Sequence, residues 1–248
     1  MSEHRLSQTV SRPITNFQLR SSRCSGFTLL ELLIAIMVFS VIVTTIYGSL
    51  RAVLSKNDAI MHGSDIHEMA RTCLNRIILD LNALYVELPP FYKQPGFNDP
   101  PNPYRFVAEK TSVGTKYYSK LRFTSTAHLP MAGNSNYGIG EIIYYIMKNE
   151  DPDANPVLKR ADRSYPFFQN DDFKEREEDP TLCEDVDELT FTYYDEDGQE
   201  HDEWNSESDY YKYATPRMIG IRLKIKRNSE TYTFYTKVML PVYREQFK

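Results

Sequence analysis

An α+β fold is what this 248-residue sequence predicts, one long N-terminal helix set against an antiparallel β-sheet head. Three observations carry the prediction. Phe27 to Leu50 is a run of 24 residues whose only charge is Glu31. From Ile66 onward, Ile66, Ala70, Cys73, Ile77, Leu81 and Leu84 recur at spacings of three and four, the period of a helix with one buried face. Later the period changes to two, most plainly where Ile219, Ile221, Leu223 and Ile225 alternate with Arg222, Lys224 and Lys226. Helix first and strands afterwards, without βαβ alternation, is the α+β order.

The first element begins behind a polar leader, residues 1–26, which holds Arg5, Arg12, Arg20 and Arg23 against Glu3 and so carries +3. At ~1.5 Å per residue the apolar run spans roughly 36 Å as a helix, enough for a hydrocarbon core of about 30 Å. A secretory signal fits poorly, because its apolar region is only about 7–15 residues and its small residues follow rather than precede it. The four arginines before the span, against a mixture of Arg51, Lys56, Asp58, Asp65 and Glu68 after it, put the leader in the cytoplasm and the rest outside. Removing the leader takes the formal charge from −5 to −8, so the remainder offers no broad attraction for nucleic acid, and no nucleic-acid partner is expected. The carboxylate inside the apolar run needs a partner, since an intramembrane acid is costly.

Gly26 to Leu33 reads GFTLLELL. A basic leader, this G-F-T-L-x-E motif and an apolar helix together resemble the type IV pilins and pseudopilins. The resemblance implies a pseudopilin fold, removal of residues 1–26 by a prepilin peptidase cutting between Gly26 and Phe27, and N-methylation of the new Phe27 amine. It also implies that Glu31 faces the amine of a neighbouring subunit in a filament. A pairing that exists only after assembly would make the buried charge a device for register. The competing reading is a Glu snorkelling near the end of a lone anchor helix. On this pattern 27–50 is the transmembrane or filament-core half of the helix, 51–88 its amphipathic half, and 89–248 a β-rich periplasmic head; one helix of about 60 residues runs from 27 to roughly 86, far longer than usual.

Within that superfamily, the stretch from Leu189 to Leu223 resembles the minor pseudopilin J of type II secretion systems. The shared pattern is a strand, a D-x-x-G turn (Asp195 to Gly198), a segment with Trp204, then Pro216-Arg217 and an alternating strand; Leu74 to Leu81 (LNRIILDL) is similar to that family's second helical half. Two departures stand out: Thr215 replaces the usual Leu before Pro-Arg, and the Trp region is longer and more acidic. The resemblance implies a single-pass inner-membrane protein assembled into a periplasmic pseudopilus that helps export folded proteins, with pseudopilins of the I and K types as partners. A minor pilin of a type IV pilus or DNA-uptake filament is the alternative within the class. A membrane-anchored periplasmic binding module is the alternative outside it.

The other elements follow in order. Arg76 and Asp80 can pair at i,i+4, and with Glu68 and Arg71 they are expected on the outer side of the second helical half. Pro89-Pro90 ends the helix. Residues 89–104 hold six prolines among Phe91, Tyr92, Phe97 and Tyr104, a rigid connector laid over the sheet by its aromatics or, alternatively, a partner surface. Strands are expected at Leu121–Ser125, Glu141–Met147 (EIIYYIM) and Leu189–Tyr194, with a hairpin turning at Arg227 to Glu230 before Tyr232, Phe234, Val238 and Leu240.

No chemistry-bearing constellation emerges. Asp195 to Glu200 has its glycine fourth and lacks the ligand spacing of a calcium loop, so a turn is expected. The acidic run of Asp171, Asp172, Glu175, Glu177, Glu178 and Asp179 reads as solvated surface. His62, His67, His128 and His201 lack metal-ligand spacing, and neither a nucleophile elbow nor a phosphate loop is present, so neither an enzyme nor a metal or cofactor site is indicated. Trp204 reads as a packed aromatic. Cys24 leaves with the leader. Cys73 and Cys183 remain in a compartment that permits disulfides, and both a bridge and buried free thiols are open, the apolar helical position of Cys73 favouring the thiol.

Overall fold

A computed structural model describes residues 27–129, 138–149, 154–164 and 173–247, side chains 52–64 excepted. The leader, with Cys24 and Gly26, lies outside the described residues, as do Asp171, Asp172 and the His62 side chain. The chain divides into two compact units, Met1–Asn57 and Asp58–Lys248. Helix α1 (Leu29–Asn82) is the first element.

In the first unit, the stretch Leu29–Arg51 is predominantly apolar, with Glu31 and Arg51 its charged residues, and none of it is buried. Three of its hydroxyls bond inside the helix: Ser40 donates to the Ile36 carbonyl at 2.8 Å, Thr44 to the Ser40 carbonyl at 2.7 Å, and Thr45 to the Ile42 carbonyl at 2.8 Å. The backbone and these side chains therefore ask nothing of an apolar surrounding.

In the second unit, every strand pair is antiparallel. The strands are β1 (Leu84–Tyr85), β2 (Val107–Val113), β3 (Lys116–Ser125), β4 (Gly140–Met147), β5 (Val157–Ser164), β6 (Thr181–Cys183), β7 (Val186–Tyr194), β8 (Glu200–His201), β9 (Trp204–Asn205), β10 (Met218–Arg227) and β11 (Glu230–Met239). They form two sheets where one was expected. One has the order β6-β5-β4-β3-β2-β9, with β1 also on β3, and the other runs β11-β10-β7-β8. A single core joins them: Ile66, Ala70, Cys73, Ile77 and Leu81 of α1 meet Leu121, Phe123 and Tyr144 of the first sheet and Leu189, Phe191, Ile221 and Leu223 of the second. The α+β fold and the helix face expected from spacing are as the sequence indicated.

The hairpin is also where the alternation places it. Ile219 pairs with Val238 and Ile225 with Tyr232, and the two turn residues, Asn228 and Ser229, both take positive φ (52° and 68°), the geometry whose twist suits a two-residue hairpin.

The helix ends at Asn82 rather than near 86. Leu84 and Tyr85 pair with Ser125 and Thr124 of β3, and the freed helix carbonyls find partners there: Ser125 Oγ donates to Asp80 O at 2.9 Å, and Thr126 N–H to Ala83 O at 2.9 Å. Strand β5 (VLKRADRS) was missed because four of its eight residues are charged.

Strand β4 is buried on both faces. Ile142, Tyr144 and Ile146 face the main core, while Ile143 and Tyr145 pack with Ala161 and Phe173 in a second cluster. The acidic run explains the second cover and departs from the solvated reading at one end. Residues 174–178 are exposed, but Asp179 is buried and accepts the Tyr145 hydroxyl at 2.8 Å, while Lys159 donates to the Glu177 and Asp179 carbonyls at 2.9 and 3.0 Å.

Candidate functional site

The entry to α1 is built from the motif itself. Thr28 precedes the first helical residue, and its Oγ1 accepts the Glu31 backbone N–H at 3.2 Å, so Thr28 is an N-cap and Glu31 occupies the third helical position. T-x-x-E before an apolar run is the capping-box pattern, a second signal carried by the same residues as the processing motif. Glu31 thus has a local role: a carboxylate in the first turn sits favourably against the positive end of the helix dipole. Phe27 stands just ahead of the cap and is 73% exposed. At the other end of the stretch the Arg51 guanidinium lies 5.4 Å from the centre of the Tyr47 ring, a cation–aromatic pair of the kind that marks a membrane–water boundary. By length and composition these 23 residues suffice to cross a membrane.

The second unit holds the other residues singled out by sequence. Asp80 was expected on the outer side of the helix and is instead fully buried. It accepts from Arg76 Nη2 at 2.6 Å, Arg160 Nε at 2.7 Å and the Tyr144 hydroxyl. Arg160 also donates to Asp162 at 2.8 Å, and Asp162 contacts His128. Burial acts to lower Arg160, but the Asp80 and Asp162 carboxylates outweigh it and hold the guanidinium above its ordinary range; burial and then Asp80 push Tyr144 well up. A buried network with each charge paired fixes the helix against β4 and β5. Gly140 belongs to it by absence: a Cβ there would lie 2.6 Å from the His128 Cβ.

Trp204 is a packed aromatic, as expected, stacked on Tyr211 with its indole N–H donating to Ala214 O at 2.9 Å. Asp195 to Gly198 is a turn with Gly198 at φ 81°, and the Asp195 carboxylate accepts the Asp197 and Gln199 amides and contacts His201. Its capacity is used by its own loop.

The proline–aromatic segment divides between its two readings. Tyr92 is buried and Tyr104 packs edge-on to Tyr85 at 4.9 Å, whereas Phe91 and Phe97 are exposed. What holds Tyr92 is a residue no sequence pattern flagged. Arg244 is buried, its guanidinium 3.4 Å from the Tyr92 ring centre, and it donates to Tyr213 O at 2.6 Å, Ser206 O at 2.8 Å and Glu207 Oε1 at 3.4 Å. Thr215, the departure before Pro-Arg, accepts the Arg244 backbone N–H at 2.7 Å, so the hydroxyl has a use that Leu could not supply.

Cys73 and Cys183 are both buried free thiols.

Residues 21–47 match the family model described as the prokaryotic N-terminal methylation motif. No curated protein matches the chain. The chain therefore carries a type IV pilin-like N-terminal signal, on an apolar helix followed by a head of antiparallel sheets. Such a helix near the N-terminus fits a single-pass inner-membrane anchor, and the motif implies processing by a prepilin peptidase and assembly with other pilins.

Proposed function

We propose that this protein is a minor pseudopilin of the J type, a tip subunit of the periplasmic pseudopilus through which a type II secretion system exports folded proteins. The observation that carries the reading is the methylation motif at 21–47 on a helical stretch, Leu29–Arg51, whose apolar residues are wholly uncovered. A helix with that much exposed apolar surface is complete only in lipid or among like helices. The J assignment rests on the pattern from Leu189 to Leu223, whose turn, buried Trp204 and Pro216-Arg217 junction form one packed end of the head. Arg217 N–H donates to Tyr194 O at 2.8 Å there.

In this reading the peptidase cuts between Gly26 and Phe27, the Phe27 amine is methylated, and 27–50 packs in the filament core. Glu31 pairs with a neighbour's amine and sets axial register. Pseudopilins of the I and K types are the head's partners. The action is mechanical and associative rather than catalytic.

The deciding experiment is intact mass with N-terminal sequencing of protein from host membranes, with and without the prepilin peptidase. A peptidase-dependent start at N-methyl-Phe27 is expected; a retained leader or a cut elsewhere overturns the reading. Glu31→Ala should then abolish crosslinking to partner subunits and secretion while the head stays folded. Unchanged secretion would count against the register role.

A further inference from the structure

The fold brings together two cysteines that lie 110 residues apart in sequence. Cys73 is on the inner face of α1, between Ala70 and Ile77, and Cys183 closes β6, opposite Leu158 of β5. Each is 1% exposed, both belong to the same core, and the Cys183 side chain lies beside that of Cys73. The Cys183 thiol, and then burial, hold the Cys73 thiol far above its ordinary range. The Cys73 sulfur is therefore not placed to act as a nucleophile or metal ligand, since both roles need the thiolate.

We propose that Cys73 and Cys183, which stand as separate thiols in this structure, are joined by a disulfide in the mature protein, made as the core closes. The inference rests on the proposed function in one respect, that residues beyond the apolar helix lie outside the cytoplasm, where such bonds persist. The chemistry is exchange with a donor disulfide. One S–S bond forms between the two Sγ atoms, the two cysteines lose two electrons and two protons, and the donor is reduced to two thiols. Because both cysteines are buried in the folded head, exchange proceeds before the core is sealed, and the finished bond resists reductant until the head unfolds. The link ties α1 to an edge strand of the larger sheet, across a loop containing β1 to β5. In a filament subunit that is the joint between the element that is pulled and the head that is carried.

The test uses the full chain in detergent, taken from host membranes. It is alkylated under denaturing conditions without reductant, then mapped by mass spectrometry. Neither cysteine should be alkylated until reductant is added, and native protein should keep the bond in reductant without denaturant. Two alkylated cysteines in the unreduced sample overturn the proposal. Two parallel arms separate this failure from failure of the localisation: refolding in mixed oxidised and reduced glutathione, and protease treatment of spheroplasts. A bond that forms in glutathione but not in the host, with a protease-protected head, overturns both the bond and the extracytoplasmic placement. No bond in either setting, with a digested head, overturns the bond alone. Cys183→Ala in the oxidised background should lower the melting temperature by about 10 °C, the size expected for losing so long a closed loop. A packing role alone would give the same loss whether or not the parent had first been reduced while unfolded.

Discussion

The two halves of α1 share a backbone and differ in where their apolar side chains go. From Leu29 to Arg51 none of the apolar surface is covered, whereas Ile66, Ala70, Cys73, Ile77 and Leu81 are all buried in the head. The first half is apolar nearly all round, Glu31 in its first turn excepted, and Ser40, Thr44 and Thr45 turn their hydroxyls inward on its own carbonyls. The second has one apolar face and carries a buried carboxylate that three side chains satisfy. The lesson is that hydrophobicity alone does not make a core. A stripe at a period of 3.6 finds a sheet inside the same chain, while a full cylinder must be covered from outside.

The largest test removes one half. Deleting residues 1–57 should move the protein from the membrane to the soluble fraction while the head keeps a cooperative thermal transition; loss of that transition would show that the halves depend on each other. Next comes the docking network. Asp80→Ala leaves Arg160 without its principal carboxylate and should cost about 3–5 kcal/mol in a urea titration of the head, with membrane attachment unaffected. The sharpest comparison makes the same change twice. Ile77→Ala should cost about 2–5 kcal/mol of head stability and Ile36→Ala nothing measurable there. Gly140→Ala, which drives a methyl into His128 beside that network, should cost about 1–3 kcal/mol.

The smallest effect is one of pH. Burial raises the Glu207 carboxyl more than Arg244 and Tyr92 lower it, so the folded head binds that proton more tightly than the unfolded chain. Stability from this group is therefore present below the ordinary carboxylate value and lost as pH rises through the raised one. Glu207→Gln should gain on the parent protein across that window in melts of the head, with no change in membrane attachment. A difference independent of pH would refute the assignment.

Much of this contrast was legible in the sequence, and the exceptions have physical reasons. Ile219 to Ile225 and Ile66 to Leu84 declare their periods because one face of each is apolar and the other charged. Asp80 misled by its chemistry, since three residues after Ile77 and four before Leu84 is an inward position; its polarity argued outward and its spacing argued correctly. Strand β5 was hidden because Lys159, Arg160, Asp162 and Arg163 look like a loop until each finds its partner in three dimensions. Arg244 could not be read at all, since its carbonyl acceptors come from Tyr213, Ser206 and Glu87, far away in sequence. At the N-terminus, Thr28 and Glu31 are legible twice over, as a processing motif and as a helix cap.

Strand β4 carries one more consequence. From Gly140 to Ile146 every residue is buried, whereas β11 is alternately open to solvent. Mutational tolerance in this head is therefore uneven by strand. In a library of random substitutions selected for folded protein, β4 should retain almost no variants on either face. Surviving variants should collect at Thr231, Thr233, Tyr235 and Lys237, which would make β11 the place to install labels, crosslinkers or new contacts without disturbing the rest.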